Sequence, residues 1–278
     1  MRGLSIVPTL ALDLSNIVNG YIGGQSVLAL SRQYNTSTNT INKILKNNNV
    51  SKISQAQRLN PSLKESYFKS IDNKEKAYWI GWLLTDGSIS SSNDIEIALS
   101  AKDKHILGLF EKDLGINNHI KPFQEQYVRF VLCSKKMAAD LVPYGIVPNK
   151  TLNLKFPKNI PEQFETHLLR GMFDGDGGLT LGMATRFYKH RNKSYTKPYQ
   201  ELSFTGTYDM CRGFQNTILK YINISEKRIA HNHSVYRVRW SNKDEIIQIL
   251  DLLYTDCDDH YLDRKYKLYL SLKDGAVS

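Results

Sequence analysis

Trp79-Ile80-Gly81-Trp82-Leu83-Leu84-Thr85-Asp86-Gly87 and, further along the chain, Leu169-Arg170-Gly171-Met172-Phe173-Asp174-Gly175-Asp176-Gly177 repeat one pattern: an apolar helical run with glycine at its third position, closed by Asp-Gly. An apolar run broken by one small residue suits a helix packed closely on another helix, and a terminal Asp-Gly suits a helix end turning into a strand. Packed through Gly81 and Gly171, the two helices would converge at their ends and set Asp86 beside Asp176. Two carboxylates roughly 5 Å apart repel by about 3 kcal/mol at an effective dielectric of about 20. A divalent cation removes that penalty.

A single Asp-Gly is a common turn, and one copy alone would read as a helix cap. An EF-hand reading of Asp174-Gly175-Asp176-Gly177 fails, because that loop needs a bidentate Glu at its twelfth position and Thr185 stands there. Two copies, each followed by strand-like segments, point instead to a paired site. The two segments resemble the paired motifs of the LAGLIDADG homing endonucleases, in the monomeric form that carries both copies in one chain. The approach Leu141-Val-Pro-Tyr-Gly-Ile-Val-Pro-Asn-Lys150-Thr, then Pro157-Lys-Asn-Ile-Pro161, is similar to that family's linker before the second helix. The second motif is close to the family pattern; the first departs from it at Trp82 and Thr85 and keeps its terminal acid.

The resemblance spans residues 72–275 and implies an α+β fold, two pseudo-symmetric αββαββα repeats forming a DNA-binding saddle. It implies double-stranded DNA as partner and a monomeric homing endonuclease, encoded for intron homing, that makes a staggered double-strand break. The implied cofactor is Mg²⁺ or another divalent cation such as Mn²⁺. Asp86 and Asp176 take the catalytic, metal-binding positions. A supporting basic residue follows the last strand of each repeat in this family; the corresponding positions are Lys135 or Lys136 and Asn242 or Lys243, from which we take Lys136 and Lys243.

Charge agrees with a polyanionic partner. The 278 residues carry a net charge of +10. Residues 1–70 hold eight Lys/Arg against only Asp13 and Glu65, a skew expected of a nucleic-acid-binding segment. Cys133, Cys211 and Cys257 are odd in number and widely spaced, giving neither a disulfide framework nor a zinc spacing. With no apolar run of membrane-spanning length and no signal-peptide layout, the reading is an intracellular protein with no membrane partner. Its expected place is the cytoplasm or nucleoid of a bacterial or phage-infected host, or an organelle matrix.

Four regions are expected. Residues 1–50 read as three short helices with apolar positions Leu14, Ile17, Val18 and Tyr21, then Val27, Leu28 and Leu30, then Ile41, Ile44 and Leu45. Tyr34-Asn35-Thr36-Ser37 makes a tight turn, with Asn35 suited to the left-handed conformation and Ser37 to capping the next helix. This resembles a helix-turn-helix DNA-binding unit, with Thr38, Asn39, Asn42 and Lys43 on its recognition helix. Residues 51–71 are polar and read as a linker. Repeat 1 occupies 72–158, its helix opened by an Asp72/Glu75 capping box. Repeat 2 occupies 159–278, its helix opened by Pro161 at the first helical position.

After each Asp-Gly the pattern alternates: strands at 95–100 and 127–133 in repeat 1, and at 201–205 and 235–240 in repeat 2. Arg129, Arg237 and Arg239 are strand-borne candidates for DNA contact, and Arg186, Lys189, His190, Arg191, Lys193 and Lys197 read as a basic hairpin. The competing functions are a non-cleaving DNA-binding transcriptional regulator and an intron maturase on the same scaffold. Retention of both acids disfavours the regulator, since only catalysis requires both. An intein reading is poorer still, because the ends lack the His-Asn terminus that splicing uses.

Overall fold

The computed structural model describes residues 13–150, 153–188, 190 and 192–275. The described chain divides into two compact units, the first ending at Glu65 and the second beginning at Ser66.

In the first unit, short polar side chains open each helix. Asp13, Ser26 and Ser37 accept the Asn16, Ala29 and Thr40 backbone N–H groups at the starts of α1 (Leu14–Ile22), α2 (Val27–Gln33) and α3 (Thr38–Asn47). Asn35 turns the chain between α2 and α3 with φ of 44°. Ile17, Tyr21, Leu30, Ile41, Ile44 and Leu45 form the core, with Val18, Val27, Val50 and Ile53 packed against it; Leu14 and Leu28 stay half exposed.

The segment expected as a linker is structured. Ser54 caps α4 (Gln55–Leu59), the Ile53 N–H donates to the Tyr21 hydroxyl at 3.0 Å, and Arg58 donates to the Ile53 carbonyl at 3.1 Å. Tyr67, Phe68 and Ile71 are buried. Few apolar anchors order this stretch, too few to show a helical period.

The second unit opens with α5 (Lys74–Thr85). Its cap is Asn73, which accepts the Lys76 N–H at 2.9 Å; Asp72 instead pairs with the Lys76 ammonium at 2.9 Å. The long lysine outcompetes the backbone for Asp72, which moves the helix start by one residue. Then come β1 (Gly87–Ile89), β2 (Asp94–Ser100), α6 (Lys104–Leu114), β3 (Ile120–Phe123), β4 (Tyr127–Cys133) and α7 (Lys135–Leu141). After them α8 (Glu165–Asp176) starts behind a 3₁₀ turn over Glu162–Phe164. Pro161 therefore caps that turn and does not occupy the first position of α8. The order repeats with β5 (Gly177–Tyr188), β6 (Lys193–Gly206), α9 (Tyr208–Tyr221), β7 (Ala230–Asn232), β8 (Val235–Trp240) and α10 (Lys243–Tyr254), followed by α11 (Asp263–Lys273).

Each repeat builds an antiparallel four-stranded sheet, ordered β1-β2-β4-β3 and β5-β6-β8-β7. Alternation decides their faces. Ile95, Ile97, Leu99, Phe130 and Leu132 in one sheet, and Leu202, Phe204, Val238 and Trp240 in the other, are buried beneath the helices. Each such side chain contributes about 1.5–3 kcal/mol by leaving water.

The halves meet along α5 and α8. A Cβ on Gly81 would overlap the Leu168 carbonyl oxygen and lie 2.7 Å from Met172 N; one on Gly171 would overlap the Tyr78 carbonyl and lie 3.1 Å from Gly81 Cα. Backbone touches backbone there, so no side chain fits. Gly171→Ala should lower stability by about 3 kcal/mol through overpacking, despite a gain of about 1 kcal/mol in helix propensity. Denaturant unfolding checks this, and an unchanged midpoint would mean that the helices do not touch at this position.

Candidate active site

Both helices end in a carboxylate and turn directly into a strand. Asp86 is the C-cap of α5, its N–H bonded to the Trp82 carbonyl at 3.0 Å; Asp176 is the last residue of α8. Gly87 and Gly177 follow, each wedged against the backbone of the preceding turn at Leu83 and Phe173. Because α5 and α8 cross with no side chain between them, their C-termini converge. Asp86 Oδ2 lies 3.1 Å from where a Cβ on Gly175 would stand. Both acids are exposed at their tips.

Electrostatics couples them. Partial burial, then the neighbouring Asp176 charge, push the Asp86 carboxyl up to about 6, and burial raises Asp176. Helix C-termini add to the strain, since their unpaired carbonyls carry partial negative charge.

Two buried lysines answer that charge. Lys150 Nζ donates to the Leu84 carbonyl at 2.7 Å and the Thr85 carbonyl at 3.5 Å, at the end of α5. Lys265 Nζ, in the first turn of α11, donates to the Phe173, Asp174 and Gly177 carbonyls at 2.5, 2.8 and 2.6 Å, at the end of α8. Burial lowers both ammonium groups to about 8, against the pull of Asp86 and Asp176, and of Asp174 for Lys265. A cavity of about 190 Å³ opens beside Lys150, Asp176, Thr85 and Thr205, with room for several waters.

The lysine charges that act on Asp86 and Asp176 are those of Lys150 and Lys265; Lys136 and Lys243 are the candidates that the sequence suggests for that role. Lys136 is exposed in the first turn of α7 and Lys243 half-buried at the start of α10. Neither Lys150 nor Lys265 has a local signature. Lys150 lies within the linker-like stretch ahead of the second motif. Lys265 lies in a charged helix start that reads as surface.

Of the remaining candidates, Thr38, Asn39, Asn42 and Lys43 are exposed on α3. Arg129, Arg237 and Arg239 lie on the sheet faces opposite the helices. Lys193 is exposed and Arg186 lies in β5, the two within a long β5–β6 ribbon that extends beyond the pairing with β8. Lys189 and Arg191 fall outside the described residues, as does the side chain of Arg186. The acidic run near the C-terminus sits at the other end of α5 from Asp86, about 18 Å along the helix: Lys74 pairs with Asp256 and Asp258 at 2.7 and 2.8 Å.

No protein-family model matches the sequence, and no curated protein matches it significantly. Solved structures do. The LAGLIDADG meganuclease I-AabMI bound to uncleaved DNA is 15% identical with a TM-score of 0.50, over 72% of this chain and 89% of that one. The meganuclease I-SmaMI bound to uncleavable DNA is 11% identical with a TM-score of 0.51, over 73% and 91%. The LAGLIDADG homing endonuclease I-LtrWI bound to target DNA is 10% identical with a TM-score of 0.50, over 76% and 91%. This chain thus has the LAGLIDADG fold, with both repeats in one polypeptide and two four-stranded antiparallel sheets. Among the described residues no helix is long and apolar enough to cross a membrane.

The site's repulsion is measurable without any ligand. A carboxyl raised to about 6 from an unfolded value of 3.8 weakens the fold once ionised; the cost is absent below the unfolded value and complete above the folded one. Asp86→Asn should therefore raise Tm more at about pH 7 than at about pH 4. Equal gains at both would show that the charge is not the cause.

Proposed function

We propose that this protein is a sequence-specific endonuclease of double-stranded DNA, acting as a monomer inside the cell and making a staggered break with Mg²⁺ or Mn²⁺. The observation that carries this reading is the pair of exposed carboxylates at converging helix ends, each end neutralised by its own buried lysine. A purely binding protein needs no such cluster of mutually opposed charges.

The donor set fits the ion. Mg²⁺ binds one or two carboxylates and fills its octahedron with water and phosphate oxygens. Asp86 and Asp176 would hold such an ion, and because among the described residues no group of three or more His, Cys, Asp or Glu side chains could cage a metal, water and phosphate oxygens would have to supply the remaining ligands. When bound, the ion supplies Lewis-acid charge to the phosphate and lowers the pKa of a coordinated water.

The chain's own groups do the rest. Asp86 and Asp176 fix where the scissile phosphates sit, one on each strand. Lys150 and Lys265, clamped by carbonyls, bring positive charge to the site, where it offsets the charge developing in the pentacovalent state. Lys150, lowered to about 8 by burial and lining the cavity, can exchange a proton with water at neutral pH, while Lys265 keeps its ammonium hydrogens on three carbonyls. The basic faces of the two sheets suit a DNA groove. The α2–α3 unit acts as a helix-turn-helix through Thr38, Asn39, Asn42 and Lys43, adding affinity and site length without chemistry.

Asp86→Asn or Asp176→Asn should leave DNA binding intact and reduce cleavage by orders of magnitude, any residue of activity appearing as nicks. Cleavage and binding assays on the same DNA, run with Mg²⁺ and with EDTA, check this. Wild-type double-strand cleavage by either variant, or by the wild type in excess EDTA, would move the regulator reading ahead. At sub-saturating Mg²⁺ the rate should also be bell-shaped in pH, rising through about 6 as Asp86 ionises and falling beyond about 8 as Lys150 loses its proton. A flat profile across that window would remove these groups from the chemistry.

A further inference from the structure

One carboxylate stands among the cations on the outward face of the second sheet. The register sets Ser203 opposite Arg239 and Thr205 opposite Arg237. The alternation that buries Leu202, Phe204, Val238 and Trp240 turns Glu201, Arg237 and Arg239 to the other side. Glu201 Oε1 lies 3.0 Å from Arg237 Nη2, and its Oε2 lies 3.6 Å from Arg239 Nη1 and accepts the Tyr199 hydroxyl at 2.9 Å. Arg237 Nη2 also donates to Ser203 Oγ at 2.8 Å, so two acceptors on one nitrogen fix the plane of that guanidinium. The Glu201 side chain is 14% exposed and that of Arg239 57%. The acid is enclosed by its partners, while the outer arginine stays open to a ligand.

An acid here is a handicap if the face serves only to neutralise phosphates, because it cancels one positive charge and repels the backbone. Base reading has the opposite requirement. An arginine that reads guanine must hold its fork in line with O6 and N7, and bracing it beforehand spares the side-chain freedom otherwise lost on binding. The first sheet carries a looser version at the equivalent place. Arg129 pairs with Ala98, next to the Ile97–Gly87 pair, as Arg237 pairs with Thr205, next to the Phe204–Gly177 pair. There Glu96 lies 3.5 Å from Arg129, which stacks over Phe123. An arginine beside an acid thus occurs at one register position in both halves, although Glu96 takes the place of Ser203 and Val131 that of Arg239, so that Glu201 and Arg239 belong to the second half alone.

We propose that Glu201, itself held by Tyr199 and Arg237, is a specificity-setting positioning residue that orients Arg239 through their ion pair to read a guanine in the DNA major groove. The inference rests on the DNA-binding reading above. The test is selection from a pool of randomised duplexes by full-length protein in EDTA, comparing the wild type with Glu201→Gln and Arg239→Ala. Wild-type selection should fix a guanine whose replacement weakens binding about 10-fold. Arg239→Ala and Glu201→Gln should both lose that preference. Glu201→Gln should also bind an arbitrary duplex more tightly, with a salt slope steeper by about 0.9, a gain that mere structural damage would not produce. If Glu201→Gln fails to fold, Tyr199→Phe, which frees the same carboxylate oxygen, should weaken the guanine preference in the same direction. A guanine retained by the folded Glu201→Gln or Tyr199→Phe variant at the wild-type margin overturns this inference alone. A wild type whose pool converges on no sequence overturns the DNA-reading function beneath it as well.

Discussion

The backbone contact between α5 and α8 is the constraint on which the second unit depends. Because Gly81 and Gly171 let two main chains touch, helix ends that would otherwise stand a side chain's width apart come together, and the two sheets that follow them spring from one point. The same stripe continues one turn on, where a Cβ at Gly175 would overlap the Thr85 hydroxyl. That hydroxyl is turned back onto the Gly81 and Trp82 carbonyls, which lets a threonine occupy a position that a larger side chain would pry open.

Closeness creates the electrostatic problem that the site exploits. Two carboxylates and two sets of unpaired helix carbonyls meet in one place, and partial burial amplifies their repulsion. The chain resolves this with ammonium groups placed on the carbonyls and not on the acids. Lys150 and Lys265 bond main-chain oxygens, which leaves the carboxylate tips of Asp86 and Asp176 exposed. Had the lysines paired with the acids directly, the site would be neutral and closed to an incoming cation.

What the sequence made legible follows from what is local. The α5 and α8 runs, the alternating strands and the Ser37 cap with Asn35 before it are readable because periodicity and turn chemistry act within a few residues. The Asp72–Glu75 pattern misled because Lys76 competes for Asp72 across one helical turn. Pro161 opens a 3₁₀ turn and not α8, a choice made by packing after the proline. Residues 51–71 looked like a linker because a handful of buried anchors, among them Tyr67 and Phe68, carry their order. Lys150 and Lys265 could not be found by local pattern at all: each reaches its helix end from a distant segment, and a buried lysine on carbonyl oxygens looks in sequence like any surface lysine.

The two motifs also differ where their helices interlock, and the difference has a physical cause. The sixth position of the second motif is Asp174, wholly buried, whose Oδ2 accepts the Tyr78 hydroxyl and the Leu262 N–H, both at 3.0 Å. Through Leu262 it anchors the start of α11 and so places Lys265. The first motif has Leu84 at that position, buried, and lends only its carbonyl to Lys150. By the pseudo-twofold, an aspartate at position 84 would face Leu168 where Asp174 faces Tyr78. It would be a buried carboxyl with no phenol to satisfy it, which costs several kcal/mol, and α11 has no counterpart there to accept its help. The duplication is therefore held to symmetry at its glycines and terminal acids, which the contact and the chemistry both demand. It is released from symmetry at the positions that deliver each lysine by a different route.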